Sequence, residues 1–245
     1  MIPRILTIAG SDSGGGAGIQ ADLKTIAMLG GHGMSAITAI TAQNTLGVTD
    51  VALVSTAMVI AQIDAVLSDI GVDAIKIGMI GSAETAHAVA DRLEALRGIP
   101  LIFDPVMVAT SGSMLANEAT IAAFGRLMRI ATLVTPNLPE LAALGGDPLA
   151  LGAPVLVKGG HGAGGMIVDL LVMPDGIEMR WEEPRIETRH THGTGCTLAS
   201  AIATGLGGGM ALPDAIMRAR AYVRRALTAA PGLGAGHGPM GFIPE

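Results

Sequence analysis

Cysteine and aromatic residues are scarce in this sequence. Its 245 residues include one cysteine, and Phe, Trp and Tyr together make up 2% of the chain. One cysteine excludes an internal disulfide. The hydrophobic residues, which form 50% of the chain, are therefore mostly aliphatic. This content is enough for a sizeable buried core and argues against disorder, and it favours aliphatic strands packed by Ala-rich helices.

The sequence also lacks a basic run and a long uninterrupted apolar segment. Its formal net charge is −6, and no basic segment is interleaved with aromatic residues, so nucleic-acid binding has little support. The apolar segment from Ile5 to Gly10 is too short for the core of a signal peptide. Each of the remaining apolar stretches is interrupted by clustered Gly or Pro before it reaches the roughly 18 residues that a membrane helix needs. We therefore expect a cytoplasmic protein without a membrane or nucleic-acid partner.

Glycine, in contrast, is abundant, and its 35 residues cluster in loops. Between these loops, short aliphatic runs alternate with Ala-rich segments that carry apolar residues at helical spacing. This alternation predicts βαβ units and a mainly parallel sheet, an α/β fold. After Pro154 we predict strands without intervening helices, an antiparallel extension covering 154–157, 165–172, 177–181 and 185–187. No linker divides the chain, so residues 1–245 are predicted to form a single domain.

The first motif is a glycine-rich loop, Gly10-Ser-Asp-Ser-Gly-Gly-Gly-Ala-Gly18, between a predicted strand and a predicted helix. Such junctions are where α/β sheets bind ligands. No Gly-Lys-Ser/Thr follows, so the loop is not a Walker A motif, and a dinucleotide fingerprint would lack its last glycine. The motif indicates either a ligand-binding loop or a flexible turn.

Two further motifs follow predicted strands. In Thr135-Pro-Asn-Leu-Pro-Glu140, the residues Asn137 and Glu140 lie one helical turn apart and could hold a hydrated Mg²⁺ beside phosphates. The same spacing fits a helix capping box, so both interpretations stay open. Lys158 precedes two glycines and could place its ammonium group on a phosphate, although a lysine at a strand end is usually a solvated charge.

The fourth motif, Thr191-His-Gly-Thr-Gly-Cys196, opens a predicted helix and is the most specific. Backbone N–H groups of Gly193, Thr194, Gly195 and Cys196 could form an anion hole that the helix dipole strengthens. Such a hole would stabilise a phosphoryl group in transfer. Cys196 would lie where a thiol pKa tends to fall, and it could orient an attacking hydroxyl or accept its proton. A lone cysteine is otherwise a small buried hydrophobic residue.

His190 and His192 form an H-x-H pair, and Asp104 follows a predicted strand. No third ligand with suitable spacing accompanies the histidines, so ordinary hydrogen bonding is favoured over metal binding. Asp104 could face a ligand crevice or cap the following turn.

Together these motifs resemble the hydroxymethylpyrimidine/phosphomethylpyrimidine kinases of the ribokinase-like superfamily. The resemblance extends from Ile5 to about Pro239. The matching segments occur in the order found in that family: Gly10–Asp22, Thr41–Thr45, Lys76–Met79, Asp104–Met107, Thr135–Glu140, Lys158–His161 and His192–Cys196.

The resemblance implies a three-layer α/β/α kinase, usually a homodimer. It implies ATP- and Mg²⁺-dependent phosphorylation of 4-amino-5-hydroxymethyl-2-methylpyrimidine, and of its monophosphate to the diphosphate, for thiamin biosynthesis. By resemblance, Asp22 and Gln43 hydrogen-bond the aminopyrimidine, and Gly10, Met79 and Val106 line its pocket.

The resemblance also assigns the phosphate side of the site. It implies that Asp104, Asn137 and Glu140 lie beside the metal and nucleotide, with Asn137 and Glu140 as the metal ligands. Lys158 and Thr194 would contact the nucleotide phosphates, and the segment 193–196 would form the anion hole. Cys196 occupies the place of a catalytic Asp in most ribokinase-like enzymes, and we hypothesise that it orients the substrate hydroxyl.

Two alternatives stay open at this point. A pyridoxal, pyridoxine or pyridoxamine kinase would bind a similar ring, but the polar pair Asp22 and Gln43 suits an aminopyrimidine better. A non-catalytic pyrimidine-binding sensor would not need Asn137, Glu140 and Lys158 together with the anion hole. The sequence does not determine the order of the two phosphorylation rates or the nucleotide preference.

Overall fold

A nine-stranded β-sheet runs through the computed structural model, which describes residues 1–96, 98–109, 112–162 and 164–244. The strand order is β3-β2-β1-β4-β5-β6-β7-β8-β9. The strands are β1 (Arg4–Asp12), β2 (His32–Asn44), β3 (Gly47–Leu53), β4 (Ala74–Ile77), β5 (Leu101–Phe103), β6 (Leu133–Val134), β7 (Val155–Val157), β8 (Met166–Val172) and β9 (Glu178–Pro184).

Strands β2, β1, β4, β5, β6 and β7 are parallel to one another. Strand β3 pairs antiparallel with β2 at one edge, and β8 and β9 continue the sheet antiparallel at the other. The predicted mainly parallel sheet is thus confirmed, and so is an antiparallel extension formed by β8 and β9. Its predicted first strand, residues 154–157, is wrong in direction, because β7 pairs parallel with β6. The sheet is continuous from β3 to β9, and one domain over residues 1–245 stays a prediction.

The helices are α1 (Gly18–Met28), α2 (Thr56–Asp69), α3 (Ala83–Leu93), α4 (Glu118–Ile130), α5 (Leu138–Ala143), α6 (Thr194–Gly207) and α7 (Leu212–Thr228). Two core clusters cover the two faces of the sheet. One contains Val59 of α2, Val89 of α3 and Phe124 of α4, and the other contains side chains of α1, α6 and α7.

Alternation along single strands explains why both faces are apolar. In β4, Ile75 and Ile77 belong to the first cluster and Ala74 to the second, as expected when successive side chains point to opposite faces. A strand buried on both faces is typical of a parallel sheet between two helical layers, so the predicted three-layer α/β/α fold is confirmed.

The strand predicted at residues 185–187 is wrong. Strand β9 ends at Pro184, and residues 185–187 do not form a strand. The guanidinium group of Arg185 instead donates hydrogen bonds to the carbonyl oxygens of Gly160 (2.9 Å), Gly162 (2.8 Å) and Gly164 (3.1 Å). Arg185 therefore fastens the loop after β7. No helix in the described part of the chain is long and apolar enough to cross a membrane.

Candidate active site

A cavity of about 740 Å³ opens where the parallel strands end. Its wall is built from residues that follow β1, β4, β5, β6 and β7 and from the start of α6, the edge at which parallel α/β sheets bind ligands. The structure brings to this wall twelve of the residues predicted from sequence: Gly10, Gln43, Met79, Asp104, Val106, Asn137, Glu140, Lys158, Gly193, Thr194, Gly195 and Cys196.

Asp22 is the predicted site residue that the described structure does not bring to the cavity wall. It is fully buried. Its carboxylate accepts hydrogen bonds from the Thr7 hydroxyl (2.5 Å), the Lys76 ammonium (2.9 Å) and the Ser200 hydroxyl (2.7 Å). The expected direct contact with a substrate ring is therefore not what this geometry offers. Asp22 instead ties α1 to β1, β4 and α6 beneath the cavity floor.

The glycine-rich loop is held by Asp12 rather than being a flexible turn. The Asp12 carboxylate accepts hydrogen bonds from the backbone N–H groups of Gly14 (2.8 Å), Gly16 (3.0 Å) and Ala17 (2.8 Å). Burial raises the pKa of Asp12, but hydrogen bonds from His192 and from these loop amides outweigh it, so the pKa lies below its usual range. The carboxylate stays ionised and fixes one wall of the cavity.

The start of α6 requires glycine at its N-cap. Gly193 has φ +88°, and a Cβ atom there would lie 1.9 Å from the carbonyl oxygen of Gly16. No side chain caps this end of the helix. The N–H groups of a first helical turn have no intrahelical acceptors. Since Gly193, Thr194, Gly195 and Cys196 line the cavity, this end of α6 can bind an anion there.

A buried charge cluster lies against the same helix start. The Lys158 ammonium is 2.6 Å from Asp104 Oδ1 and 3.8 Å from Glu140 Oε2, and Thr135 also donates to Asp104. A Cβ atom on Gly195 would lie 3.2 Å from Lys158 Nζ. Burial lowers the pKa of Lys158, but the combined opposite effect of the two carboxylates is larger. The net pKa is therefore raised, and the group stays cationic.

Asn137 and Glu140 form the capping box that their spacing allowed. Asn137 Oδ1 accepts from the Glu140 N–H (2.9 Å), and Glu140 Oε2 accepts from the Asn137 N–H (2.8 Å). Burial, with the nearby Asp104 carboxylate, raises the pKa of Glu140 despite the opposing effect of Lys158. Asp104 and Glu140 together outnumber the single ammonium, so this corner of the cavity favours an added cation.

Cys196 is a thiol at neutral pH. Burial is the largest influence and, with the Asp22 and Asp104 carboxylates, raises its pKa to about 11, although Lys76 and the Gly18 N–H act in the opposite direction. The expectation that the helix terminus lowers the thiol pKa is therefore wrong. Cys196 is half-buried in the cavity wall, and desolvation of its thiol exceeds the helix-terminus effect. A protonated thiol can orient a hydroxyl more readily than it can remove a proton.

The cavity wall also contains residues that were not assigned a role from the sequence. Thr41 and Lys76 lie in recognised segments, and Asp12 and His192 lie in the two glycine-containing motifs, so their positions could have been flagged. Ile186, Val223 and Leu227 add apolar side chains to the wall, here called the apolar patch. Val223 and Leu227 are four residues apart on α7, which in sequence cannot be told from ordinary core packing.

The fold and the site define a kinase of the ribokinase-like class, with an anion-binding helix start at the carboxyl edge of a mainly parallel sheet. The family model for phosphomethylpyrimidine kinase matches residues 12–241. The chain therefore belongs to the phosphomethylpyrimidine kinase family.

Curated relatives carry the corresponding names. The chain is 49% identical to the hydroxymethylpyrimidine/phosphomethylpyrimidine kinase of Streptomyces coelicolor, over 97% of this chain and 93% of that protein. It is 48% identical to the thiamine biosynthesis bifunctional protein ThiED of Geobacter sulfurreducens, over 98% of this chain. In that case the chain spans about half, 52%, of the relative's length.

Solved structures of two named activities share the fold. The phosphomethylpyrimidine kinase of Clostridium difficile 630 superimposes with a TM-score of 0.80 at 38% identity, over 92% of this chain and 99% of that one. The pyridoxal kinase of Bacillus subtilis, in an ADP complex, superimposes with a TM-score of 0.89 at 32% identity, over 99% of this chain and 98% of that one. Sequence identity is thus higher to the pyrimidine kinase, whereas backbone similarity is higher to the pyridoxal kinase.

Proposed function

We propose that this chain transfers the γ-phosphate of ATP to the hydroxymethyl group of 4-amino-5-hydroxymethyl-2-methylpyrimidine, and then phosphorylates the monophosphate to the diphosphate, for thiamin biosynthesis. One observation carries the proposal. The wall of a single cavity includes both Gly10, Gln43, Met79 and Val106 and the start of α6, which can bind an anion. A hydroxyl on a ring bound at one end therefore lies beside the place where a phosphoryl group binds.

At the ring end, we assign the hydrogen bonds to the aminopyrimidine to Gln43 alone. The sequence resemblance had implied that Gln43 and Asp22 share them. A carboxamide offers one acceptor and two donors, which complements the ring nitrogen and exocyclic amino group of an aminopyrimidine. Met79 and Val106 provide apolar contact with the ring. Because Asp22 already accepts three hydrogen bonds beneath the floor, we assign it a structural role.

At the phosphate end, the chain offers backbone donors and one ammonium group. The first turn of α6, including Thr194, and the Lys158 side chain converge with Asp104. In a loose phosphoryl-transfer transition state, charge spreads over the equatorial oxygens, and preorganised donors stabilise it without reorganising. Cys196 would orient the attacking hydroxyl. The apolar patch of Ile186, Val223 and Leu227 would accept the nucleotide base.

Magnesium fits the corner formed by Asn137, Glu140 and Asp104. Glu140 is 7% exposed, and burial, with the nearby Asp104 carboxylate, raises its pKa despite the opposing effect of Lys158. The described residues contain no group of three His, Cys, Asp or Glu side chains arranged to hold a metal. Mg²⁺ keeps several waters and takes one or two carboxylates with substrate phosphates, and Glu140 and Asp104 offer two carboxylates here. The ion would neutralise charge on the transferring group.

The test is a side-by-side kcat/KM measurement with the pyrimidine alcohol, its monophosphate and pyridoxal, using ATP and Mg²⁺. We expect the pyrimidine alcohol to be preferred over pyridoxal by at least about tenfold, which corresponds to one well-placed hydrogen bond. A preference for pyridoxal would identify the runner-up enzyme, which the backbone similarity to pyridoxal kinase favours. Pyrimidine binding without phosphoryl transfer would identify a sensor.

We also propose a homodimer formed through the edge of the sheet at β3. Apolar side chains on β2, β3, their connecting turn and α2 are exposed there: Ile40 (56%), Leu46 (69%), Leu53 (57%) and Met58 (55%). Exposed apolar residues on and beside an edge strand indicate an interaction surface, because an unprotected edge otherwise promotes aggregation. As a separate proposal from the sequence, we place the protein in the cytoplasm.

A further inference from the structure

His192 lies beside Gln43 on the cavity wall, 149 positions away in sequence. His192 Nε2 is 2.9 Å from Asp12 Oδ2 and 3.1 Å from the Nε2 atom of Gln43. On the other side of the same amide, Thr41 Oγ1 is 3.1 Å from Gln43 Oε1 and 2.9 Å from the carbonyl oxygen of Ser11. The Gln43 amide is thus clasped between an imidazole and a hydroxyl.

The hydrogen atoms on the imidazole side determine which end of the amide can face His192. An imidazole nitrogen either donates or accepts. Asp12 is an ionised carboxylate held by three backbone amides, so it can only accept. Nε2 of His192 must then carry the proton that it donates to Asp12. That nitrogen cannot accept from an NH₂ group, so the Gln43 atom facing it is the carbonyl oxygen.

The hydroxyl side leads independently to the same orientation. Thr41 has one hydroxyl hydrogen, and the Ser11 carbonyl can only accept it. The hydroxyl oxygen is then an acceptor toward Gln43, and the NH₂ group is its matching donor. A half-turn about the terminal side-chain bond exchanges the amide oxygen and nitrogen without moving another heavy atom. In that orientation the single N–H of His192 Nε2 is shared by two acceptors, Asp12 Oδ2 and the Gln43 oxygen, and the Gln43 NH₂ group donates to the Thr41 hydroxyl.

The backbone of Gln43 is fixed as well. The Ser13 hydroxyl donates to the Gln43 carbonyl oxygen (2.8 Å) and accepts from the Gln43 N–H (2.8 Å). The main freedom left to this residue is the rotation of its amide. Asp12 and Ser13 come from the glycine-rich loop and His192 from the loop before α6, so two separate motifs converge on one side chain.

We propose that His192, oriented by Asp12, is a positioning residue that fixes the Gln43 amide with its oxygen toward His192 and its NH₂ toward Thr41. The inference rests on the proposed function, because it concerns how the same site selects its ring. The remaining lone pair and the remaining N–H then face the cavity in one fixed order. An aminopyrimidine edge pairs with that order in one of its two ring orientations, and this orientation decides where the neighbouring hydroxymethyl group lies.

The kinetic test uses the full chain with His192→Leu, which removes the donor, and His192→Gln, which can retain an N–H toward Asp12. For His192→Leu we expect KM for the pyrimidine alcohol to rise about tenfold, with kcat and KM for ATP changed less than about threefold. His192→Gln should recover KM to within about threefold of wild type. A parallel rise in KM for ATP, or no recovery with His192→Gln, overturns the proposal.

A double-mutant cycle separates positioning from general structural damage. If His192 acts through Gln43, the double variant His192→Leu/Gln43→Ala has a pyrimidine KM within about twofold of Gln43→Ala alone. Additive effects overturn the proposal. Thr41→Val removes the other partner of the amide and should show the same non-additivity, so the cycle can be completed if His192→Leu does not fold. The matched control is His190→Leu, since the described cavity wall does not include His190, and its KM should equal that of wild type.

Neutron diffraction of the perdeuterated protein reads the amide directly, whatever the substrate is. Deuterons on the Gln43 nitrogen directed at Thr41, with a deuteron on His192 Nε2 directed at Asp12, support the proposal. Deuterons on Gln43 directed at His192 overturn it. A wild-type chain that does not phosphorylate the pyrimidine refutes the proposed function, whereas an active chain with additive variants refutes only the role of His192.

Discussion

Cys196 is half-buried at the start of a helix, and its thiol is desolvated there. The cysteine lies in the first turn of α6 and lines the cavity. Burial and two carboxylates raise its pKa to about 11, against the opposing effect of Lys76. A thiol so disposed is a poor ground-state base, and a phosphoryl transfer with little bond formation needs orientation more than proton abstraction. We therefore assign it to orienting the hydroxyl.

The first prediction concerns thiol reactivity. Because the thiolate is the nucleophile, we expect alkylation by iodoacetamide to rise about tenfold for each pH unit up to a pH near 11. The chain has one cysteine, so mass spectrometry of the whole protein gives the rate for this site alone. The Cys196→Ala variant supplies the unlabelled control. A plateau of the rate below pH 9 would show that the thiol pKa is not raised.

The second prediction concerns the contribution of the thiol to catalysis. We expect Cys196→Ala to lower kcat by about 10- to 100-fold, because the hydroxyl loses an orienting partner while the anion hole stays intact. Cys196→Ser, which retains a hydrogen-bonding group, should lose less. The measurement is steady-state kinetics with saturating ATP. A loss below about tenfold would assign the thiol to packing.

At the scale of elements, the junction of the glycine-rich loop with α6 depends on close backbone contact. Gly193 lies in the left-handed region, and a Cβ atom there would overlap the Gly16 carbonyl oxygen at 1.9 Å. Gly209, just after the other end of α6, also has positive φ (+86°), but nothing lies within 4 Å of its Cβ position. The two glycines share the backbone conformation and differ in the steric contact.

The third prediction uses that pair. Gly209→Ala should lower the free energy of unfolding by about 1–2 kcal/mol, the cost of a left-handed conformation. Gly193→Ala should cost more, and it should abolish measurable activity because the loop must move away from α6. Urea unfolding and a kinase assay measure the two effects. Equal destabilisation by the two variants, with activity retained in both, would contradict the requirement for glycine at the N-cap.

The fourth prediction concerns the ion pair between Lys76 on β4, a residue of the cavity wall, and Asp22 on α1. Both side chains are fully buried, and their charged atoms are 2.9 Å apart. Lys76→Met leaves the Asp22 carboxylate without its counter-charge, so we expect the free energy of unfolding to fall by about 3–5 kcal/mol. The double variant Lys76→Met/Asp22→Asn carries no buried charge and should recover part of the loss. Chemical denaturation measures both. A Lys76→Met protein as stable as wild type would show that the pair is dispensable.

At the scale of the whole molecule, the two edges of the sheet differ. β8 and β9 extend the sheet beyond β7, and β9 carries charged side chains including Arg180, Glu182 and Glu183. The opposite edge, β3, is a strand of the same length, seven residues, with exposed Leu53 and neighbouring apolar residues. Charged side chains protect an edge from pairing, whereas an apolar edge invites it. The dimer is therefore proposed at β3.

The fifth prediction tests that surface. Leu53→Glu should convert a dimer into a monomer in sedimentation velocity, because it places a carboxylate in an apolar interface. The matched control is Met217→Glu on α7, since Met217 is exposed to a similar extent (55% against 57%) on another surface. A wild-type protein that sediments as a monomer, or two variants that behave alike, would argue against an interface at β3.

Much of this architecture followed from local sequence. Strand, glycine-rich loop and helix succeed one another within residues 4–28, and a second glycine-containing loop directly precedes α6, so β1, α1 and the two loops could be predicted in order. Because parallel strands share one carboxyl edge, residues after several strands could also be predicted to meet there. The end of β9 could not, because it depends on Arg185 binding loop carbonyls that lie about 21 to 25 positions earlier.

The sequence alone therefore determined the order of elements, the family motifs and the edge of the sheet that carries the site, since each depends on neighbours along the chain. Only the tertiary structure decided that Asp22 lies beneath the cavity, that Cys196 keeps its proton and that His192 reaches Gln43. Burial and hydrogen-bond partners are sums over residues far apart in sequence, and no local pattern encodes such sums.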